Sequence, residues 1–250
     1  MPRHLIRVAL VLALLIPASP GLVTAQDMRT ARRDHLASLG SVESASAVES
    51  YLLRQLQTIG APNAGDLAEF FSFVMVIHGL DLQKLERLQA GGIDLVHAMT
   101  SDARPFMEQG LFSDPVVVAE VVDFGDSDEP TDGYRSTIAV RVVETLKGEV
   151  SADTLFLRQR GQFRNGMGQN EFAPRIGEKY LLLLSRPMYE FFASRRQAPT
   201  QASAVPRHAY AIYRYYRADD NRIVMGDGSS HDAGSIYQEL RWLEELMEAL

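Results

Sequence analysis

At Asp114-Pro115 the residue pattern changes period, and that change constrains the fold more than any other feature of the sequence. Before it, apolar residues recur every three or four positions, the spacing of one helix face. After it, β-branched residues come in short runs that alternate with polar ones, the pattern of strands burying one side. A chain written this way is α+β. Residues 26–110 form a helical region, and residues 111–250 form a small antiparallel β-barrel-like domain that ends in a helix.

In the first half, Ser46-Ala47-Val48-Glu49 fits a capping box and predicts a helix start. Val48, Leu52, Leu56 and Ile59 follow at helical spacing until Gly60 and Pro62. A second helix is expected from Asp66 to His78, with Leu67, Phe70, Phe71, Val74, Met75 and Ile77 on a broad apolar face and Gly79 at its C-terminal cap. Leu82, Leu85 and Leu88 mark a third, closed by Gly91-Gly92, and residues 93–109 read as helical in part, interrupted at Pro105. The Arg- and Asp-rich stretch Asp27 to Gly40 fits either a solvated helix or an exposed tail.

In the second half, strands are expected at Val116–Val122, Tyr134–Glu144, Thr154–Gln159, Tyr180–Ser185, Ala209–Arg217 and Ile223–Met225. Gly161 to Gln169 is a glycine-rich loop, and Arg186 to Pro206 reads as an inserted loop. The helix from Ser235 to Leu250 carries Ile236, Leu240, Leu243, Leu246 and Met247 along one side, suited to its own barrel or to a partner helix. Short strands joined by hairpins suggest a closed or partly closed barrel, which removes exposed sheet edges, or a sandwich.

Two segments are more specific. A strand ends in Val143-Glu144-Thr145-Leu146-Lys147-Gly148, and another starts at Gly177-Glu178-Lys179-Tyr180-Leu181. With Val118-Ala119-Glu120-Val121 and Asp153-Thr154-Leu155, the stretch Asp114 to Arg186 resembles the OB-fold domain of tissue inhibitors of metalloproteinases and netrin-like modules, in the divergent form of exported bacterial proteins. The resemblance implies an OB-type barrel used as a binding surface. It does not bring protease inhibition with it, because those inhibitors set an N-terminal cysteine on the target's zinc and brace the barrel with disulfides, and this chain has no cysteine.

The first residues predict export. Arg3 and Arg7 precede the apolar run Val8 to Ile16, Pro17, Pro20 and Gly21 break any helix, and Val23-Thr24-Ala25 offers small residues to signal peptidase. The run is shorter than the roughly 20 residues a bilayer span requires. Residues 1–25 are therefore expected to be a cleaved signal peptide, leaving a periplasmic or secreted chain that no membrane segment anchors. Loss of Arg3 and Arg7 lowers Lys+Arg from 25 to 23 against 32 Asp+Glu, so the net charge falls from −7 to −9. That balance disfavours nucleic acid as a partner. The lack of cysteine also removes thiolate metal sites, cysteine nucleophiles and disulfide redox chemistry.

Motifs for catalysis are missing as well. No His-Glu-x-x-His, Gly-x-Ser-x-Gly or phosphate-binding glycine loop before a helix occurs. His78 with Asp81 and Asp94 with His97 sit three apart, and His208 and His231 lie near Asp227 and Asp232, but a stable metal site requires three or four ligands. The turn containing Asp123, Asp126, Asp128, Glu129 and Asp132 has oxygens for calcium yet fails the EF-hand spacing. No cofactor or metal is expected. The leading expectation is a non-enzymatic module that engages a protein, peptide or envelope glycan. Its expected contacts are Phe163, Arg164 and Met167 of the glycine-rich loop and Tyr213 and Tyr215 of the tyrosine-rich strand. Strand alternation sends Tyr213 and Tyr215 to one face and Tyr210 and Tyr216 to the other. The alternative is a metal-dependent or hydrolytic envelope enzyme with its site between the helices and the barrel.

Overall fold

The computed structural model describes residues 24–101, 104–127, 133–165, 172–195 and 208–248; most of the expected signal peptide lies outside them. The chain divides into two units. One comprises residues through Leu85 with Asp94–Arg104, the other Glu86–Ile93 with Pro105–Leu250.

The first unit is helical: α1 (Ala25–Ser38), α2 (Val42–Thr58), α3 (Ala64–Ile77), the start of α4 (Leu82–Ala90) and α5 (Leu95–Thr100). The Arg- and Asp-rich stretch is thus a helix, and the capping box sits there. The Thr24 hydroxyl accepts the Asp27 N–H at 3.1 Å while the Asp27 carboxylate accepts the Thr24 N–H at 2.8 Å. The box expected at Ser46 and Glu49 falls inside α2, which begins at Val42. Ala45 and Val48 are both buried on the apolar face, so burial extends the helix past its apparent start. In α3, Leu67, Ala68, Phe71, Phe73, Val74, Met75 and Ile77 are all buried, leaving little exposed side.

Ion pairs tie α1 to α3. Glu69 receives Arg29 Nε at 2.9 Å and Arg32 Nη2 at 2.6 Å, and Arg29 also pairs with Asp66. Glu49, on the neighbouring α2, has its carboxyl pushed above the usual range by burial and then by the charge of Glu69.

The second unit holds α6 (Phe106–Gly110), β1 (Val116–Asp126), β2 (Ser136–Lys147), β3 (Thr154–Gln159), β4 (Lys179–Ser185), α7 (Arg186–Ser194), β5 (Ala209–Asp219), β6 (Arg222–Val224), β7 (Ser230–Asp232) and α8 (Ala233–Glu248). The strands run in the order β3-β2-β1-β4-β5-β6-β7, and β3 also pairs with β5. That last pairing closes β1, β2, β3, β5 and β4 into a ring. It is parallel, over Phe156–Ala209, Leu157–Tyr210 and Arg158–Ala211, while the other pairings are antiparallel. The interior is filled by Val117, Ala119, Val121, Ile138, Val140, Leu155, Leu157, Phe172, Tyr180, Leu182, Leu184 and Tyr210. Outside, Ile236 and Leu240 of α8 cover Val116, Val118, Leu181 and Leu183, so the terminal helix packs on its own unit. α7 covers Ala209 with Tyr189 and Ala193.

Two expectations change here. The inserted loop at Arg186 opens as helix α7. Ser185 caps it by accepting the Met188 N–H at 3.1 Å, and Pro187 suits its first turn, where no N–H donor is required. Its remainder, Gln197 to Pro206, lies outside the described residues. The tyrosines of β5 also divide differently. Leu183 faces Arg214 and Leu184 faces Ile212, so Tyr213 is an extra residue bulged out of the ladder. The bulge inverts the alternation. Tyr210, Ile212 and Tyr215 join the interior, whereas Tyr213 and Tyr216 join the cluster beneath α8.

Both motifs behind the family resemblance have structural tasks. Leu146 is buried, Lys147 is buried and donates to the Ser113 carbonyl at 2.7 Å, and Gly148 turns the chain at φ 72°. A Cβ on Gly148 would collide with the Asp114 carboxylate. In the second motif the Gly177 N–H donates to the Val121 carbonyl at 2.8 Å and the Val121 N–H to that of Glu178 at 3.0 Å, fastening the start of β4 to β1. Tyr180 then buries its ring and donates its hydroxyl to Glu178 at 2.6 Å. Burial, followed by that bond and the charge of Glu178, pushes the phenol up to about 12.

Candidate functional site

Ile138, Val140, Leu155 and Leu157 point into the core that the ring of strands encloses. Alternation therefore turns Thr137, Ala139 and Arg141 of β2 and Thr154, Phe156 and Arg158 of β3 outward. The register sets them side by side as Thr137–Arg158, Ala139–Phe156 and Arg141–Thr154. Phe156 is 39% exposed, an aromatic ring on a sheet face with Arg158 two residues along the same strand and Arg141 diagonally across on β2. Arg158 is held across the strands by the Thr137 hydroxyl and by the Tyr134 carbonyl at 3.3 Å, and Arg141 by Glu120 at 2.8 Å. These bonds set where the guanidinium planes lie.

The parallel register continues the strip onto β5, where Ala209 and Ala211 adjoin Phe156 and Arg158. Beyond them α7 brings Phe192, with the Arg160 guanidinium 4.8 Å over its ring. The result is an aromatic and cationic strip. Exposed rings stack on planar or cyclic ligands, and guanidinium groups bind carboxylates by charge-assisted bonds.

The residues expected from sequence fall elsewhere or only in part on the surface. Phe163 lies 4.6 Å from Phe124 and packs against the core within the ring of strands. The Phe163 and Arg164 N–H groups donate to the Asp126 carboxylate at 2.6 and 3.0 Å, so the acidic turn supplies the cap of the short helical turn Phe163–Asn165. Arg164 is exposed, its Nε 3.6 Å from Asp126. Met167 lies outside the described residues, as do Asp128, Glu129 and Asp132. Tyr215 tilts against Phe172 at 4.6 Å in the interior, while Tyr213 meets Phe112 at 6.0 Å and carries Arg214 over its ring at 5.4 Å. The expected tyrosine pair is therefore split between two faces by the bulge.

The paired acids and histidines also have local tasks. Asp94 caps α5 by accepting the His97 N–H at 2.9 Å, and Asp81 accepts the Lys84 N–H at 2.8 Å at the start of α4. His78 is buried with Nδ1 2.7 Å from the Val74 carbonyl. Asp232 accepts the Ser235 N–H and hydroxyl at the head of α8, and Asp227 accepts the Ser229 hydroxyl and N–H within a turn, which lowers both carboxyls. Three-residue spacing here is helix-cap spacing. Among the described residues, no three His, Asp or Glu side chains gather to hold a metal ion, and no helix is long and apolar enough to cross a membrane.

A groove of about 500 Å³ opens elsewhere on the second unit, between Val118, Val143, Ala218 and Tyr237, with Glu144, Glu178 and Asp219 at its rim. Those three carboxylates are already paired, with Arg241, Arg175 and Arg217 respectively.

No family model matches this sequence, and no curated protein or solved structure is significantly similar to it.

Proposed function

We propose that this chain is an exported, non-enzymatic binding module of the periplasm or cell exterior, and that its five-stranded ring is an OB-type barrel. Five strands closed with a Greek-key return support the barrel reading, and the pattern of residues 1–25 supports export. The observation that carries the function is Phe156, exposed on the outer β2–β3 face with Arg141 and Arg158 beside it.

An envelope glycan bearing carboxylates suits this face best. The ring would stack on a sugar while the guanidinium groups hold the acid. A protein or peptide would use the same three residues. The test is co-sedimentation of the mature chain with purified cell-wall glycan, set beside capture of envelope proteins. Phe156→Ala and Arg158→Ala should each weaken binding about ten-fold or more, the loss expected of an aromatic or arginine anchor. Tyr215→Phe, inside the barrel, should leave it unchanged. Binding indifferent to both surface substitutions would remove this face from consideration.

A further inference from the structure

The peptide bond that Val23-Thr24-Ala25 presents to signal peptidase is Ala25–Gln26, and it lies in the first turn of α1. We propose that Gln26, freed by that cut, closes on itself to a pyroglutamate, so that the mature chain begins with a neutral lactam. This rests on the export reading above. The α-amino nitrogen of Gln26 attacks its own side-chain Cδ. A new N–Cδ bond replaces the Cδ–Nε2 bond, and the amide nitrogen leaves as ammonia with the proton shed by the attacking amine. No oxidant, reductant or second reactant enters.

The surroundings of Gln26 favour the product. Cleavage removes Thr24, and with it the hydroxyl that accepts the Asp27 N–H. The rest of α1 stays anchored to α3 through Arg29 and Arg32 on Asp66 and Glu69. The new ammonium is thus held among the orphan N–H donors at the positive end of a helix, where cationic charge is disfavoured, and the Asp27 carboxylate that Thr24 releases offsets this in part. Lactam formation discharges it. Gln26 and its neighbours Ala25 and Asp27 are exposed, so no packed side chain has to move for the ring to form.

Intact-mass and N-terminal fragment analysis of the protein recovered from exporting cells tests this. The expected species begins at residue 26 and is about 17 Da lighter than the unmodified chain, the mass of one ammonia. It should resist stepwise N-terminal sequencing until treated with pyroglutamyl peptidase, whereas Gln26→Ala should sequence normally. A chain that begins at an unmodified Gln26 after prolonged storage overturns the proposal and leaves export standing. A chain cleaved at another bond after the apolar run overturns the pyroglutamate and leaves export standing, and a chain that still begins at Met1 overturns both.

Discussion

Replacing Gly148 by alanine tests why the Leu-Lys-Gly motif exists. The backbone there has φ 72°, a left-handed conformation that costs an L-residue about 1–2 kcal/mol. The added Cβ also meets the Asp114 carboxylate and comes within 3.4 Å of Pro115 Cα. The Asp114 main chain is fixed by its N–H bond to the Leu184 carbonyl at 2.7 Å, so the clash is relieved only by turning the carboxylate aside. Overpacking of this kind costs another ~1–2 kcal/mol. The sum, about 2–4 kcal/mol, corresponds to a drop in thermal midpoint of roughly 5–15 °C for a chain of this size. Trp242, the single tryptophan, sits 38% exposed on α8 and reports the transition by fluorescence. In an Asp114→Ala background the collision is gone and the backbone strain remains, so Gly148→Ala should there cost only about 1–2 kcal/mol. A Gly148→Ala protein within about 0.5 kcal/mol of the parent, or an equal loss in both backgrounds, would refute this account.

Three further outcomes follow from packing and charge. Tyr180 keeps its proton in the folded state up to about 12 while the unfolded phenol releases it near 10.0, so its contribution is present below the lower value and lost as pH rises between them. In urea titrations the parent should lose stability relative to Tyr180→Phe over that window, and parallel alkaline profiles would sink the assignment. Glu49 has the opposite consequence for stability at neutral pH, because its raised carboxyl is ionised there at a cost that acidification relieves. Glu49→Gln should raise the denaturation midpoint at neutral pH, with the advantage shrinking as pH falls toward 4.5; an advantage independent of pH would place its origin elsewhere. Phe172 is 1% exposed and contacts Tyr180 and Tyr215 at 4.7 and 4.6 Å. Phe172→Ala should destabilise the second unit by about 3–5 kcal/mol in chemical denaturation, and a loss below about 1 kcal/mol would mean that the segment before β4 is not part of the core.

What was legible in the sequence depended on how local each cause is. The periods of α3, β2 and β3 are carried by neighbouring residues, and those elements fall where the patterns place them. The start of α2 is not local. Ser46 and Glu49 make a valid cap by themselves, yet burial of Ala45 extends the helix past them. The working cap, Thr24 with Asp27, has the same Thr-x-x-acid spacing and overlaps the expected cleavage site. In the same way, Asp94 and His97 suggested a ligand pair although their spacing is equally that of an N-cap.

The candidate site shows the same limit more sharply. Alternation assigns a face to each residue only while the count is unbroken, and one bulged residue reverses every assignment beyond it. In β5 the bulge at Tyr213 is fixed by how Leu183 and Leu184 align across the sheet, a partner that nothing within β5 discloses. In β3 the count is unbroken, so Thr154-Leu155-Phe156-Leu157-Arg158 already states that Phe156 and Arg158 share the outer face. The tyrosine-rich strand has more aromatic residues, yet Tyr210 and Tyr215 pack within the ring and Tyr213 and Tyr216 beneath α8. A single aromatic at an outward position between two leucines is the stronger indication of a contact surface, because the leucines on either side consume the inward positions and leave the ring no core to enter.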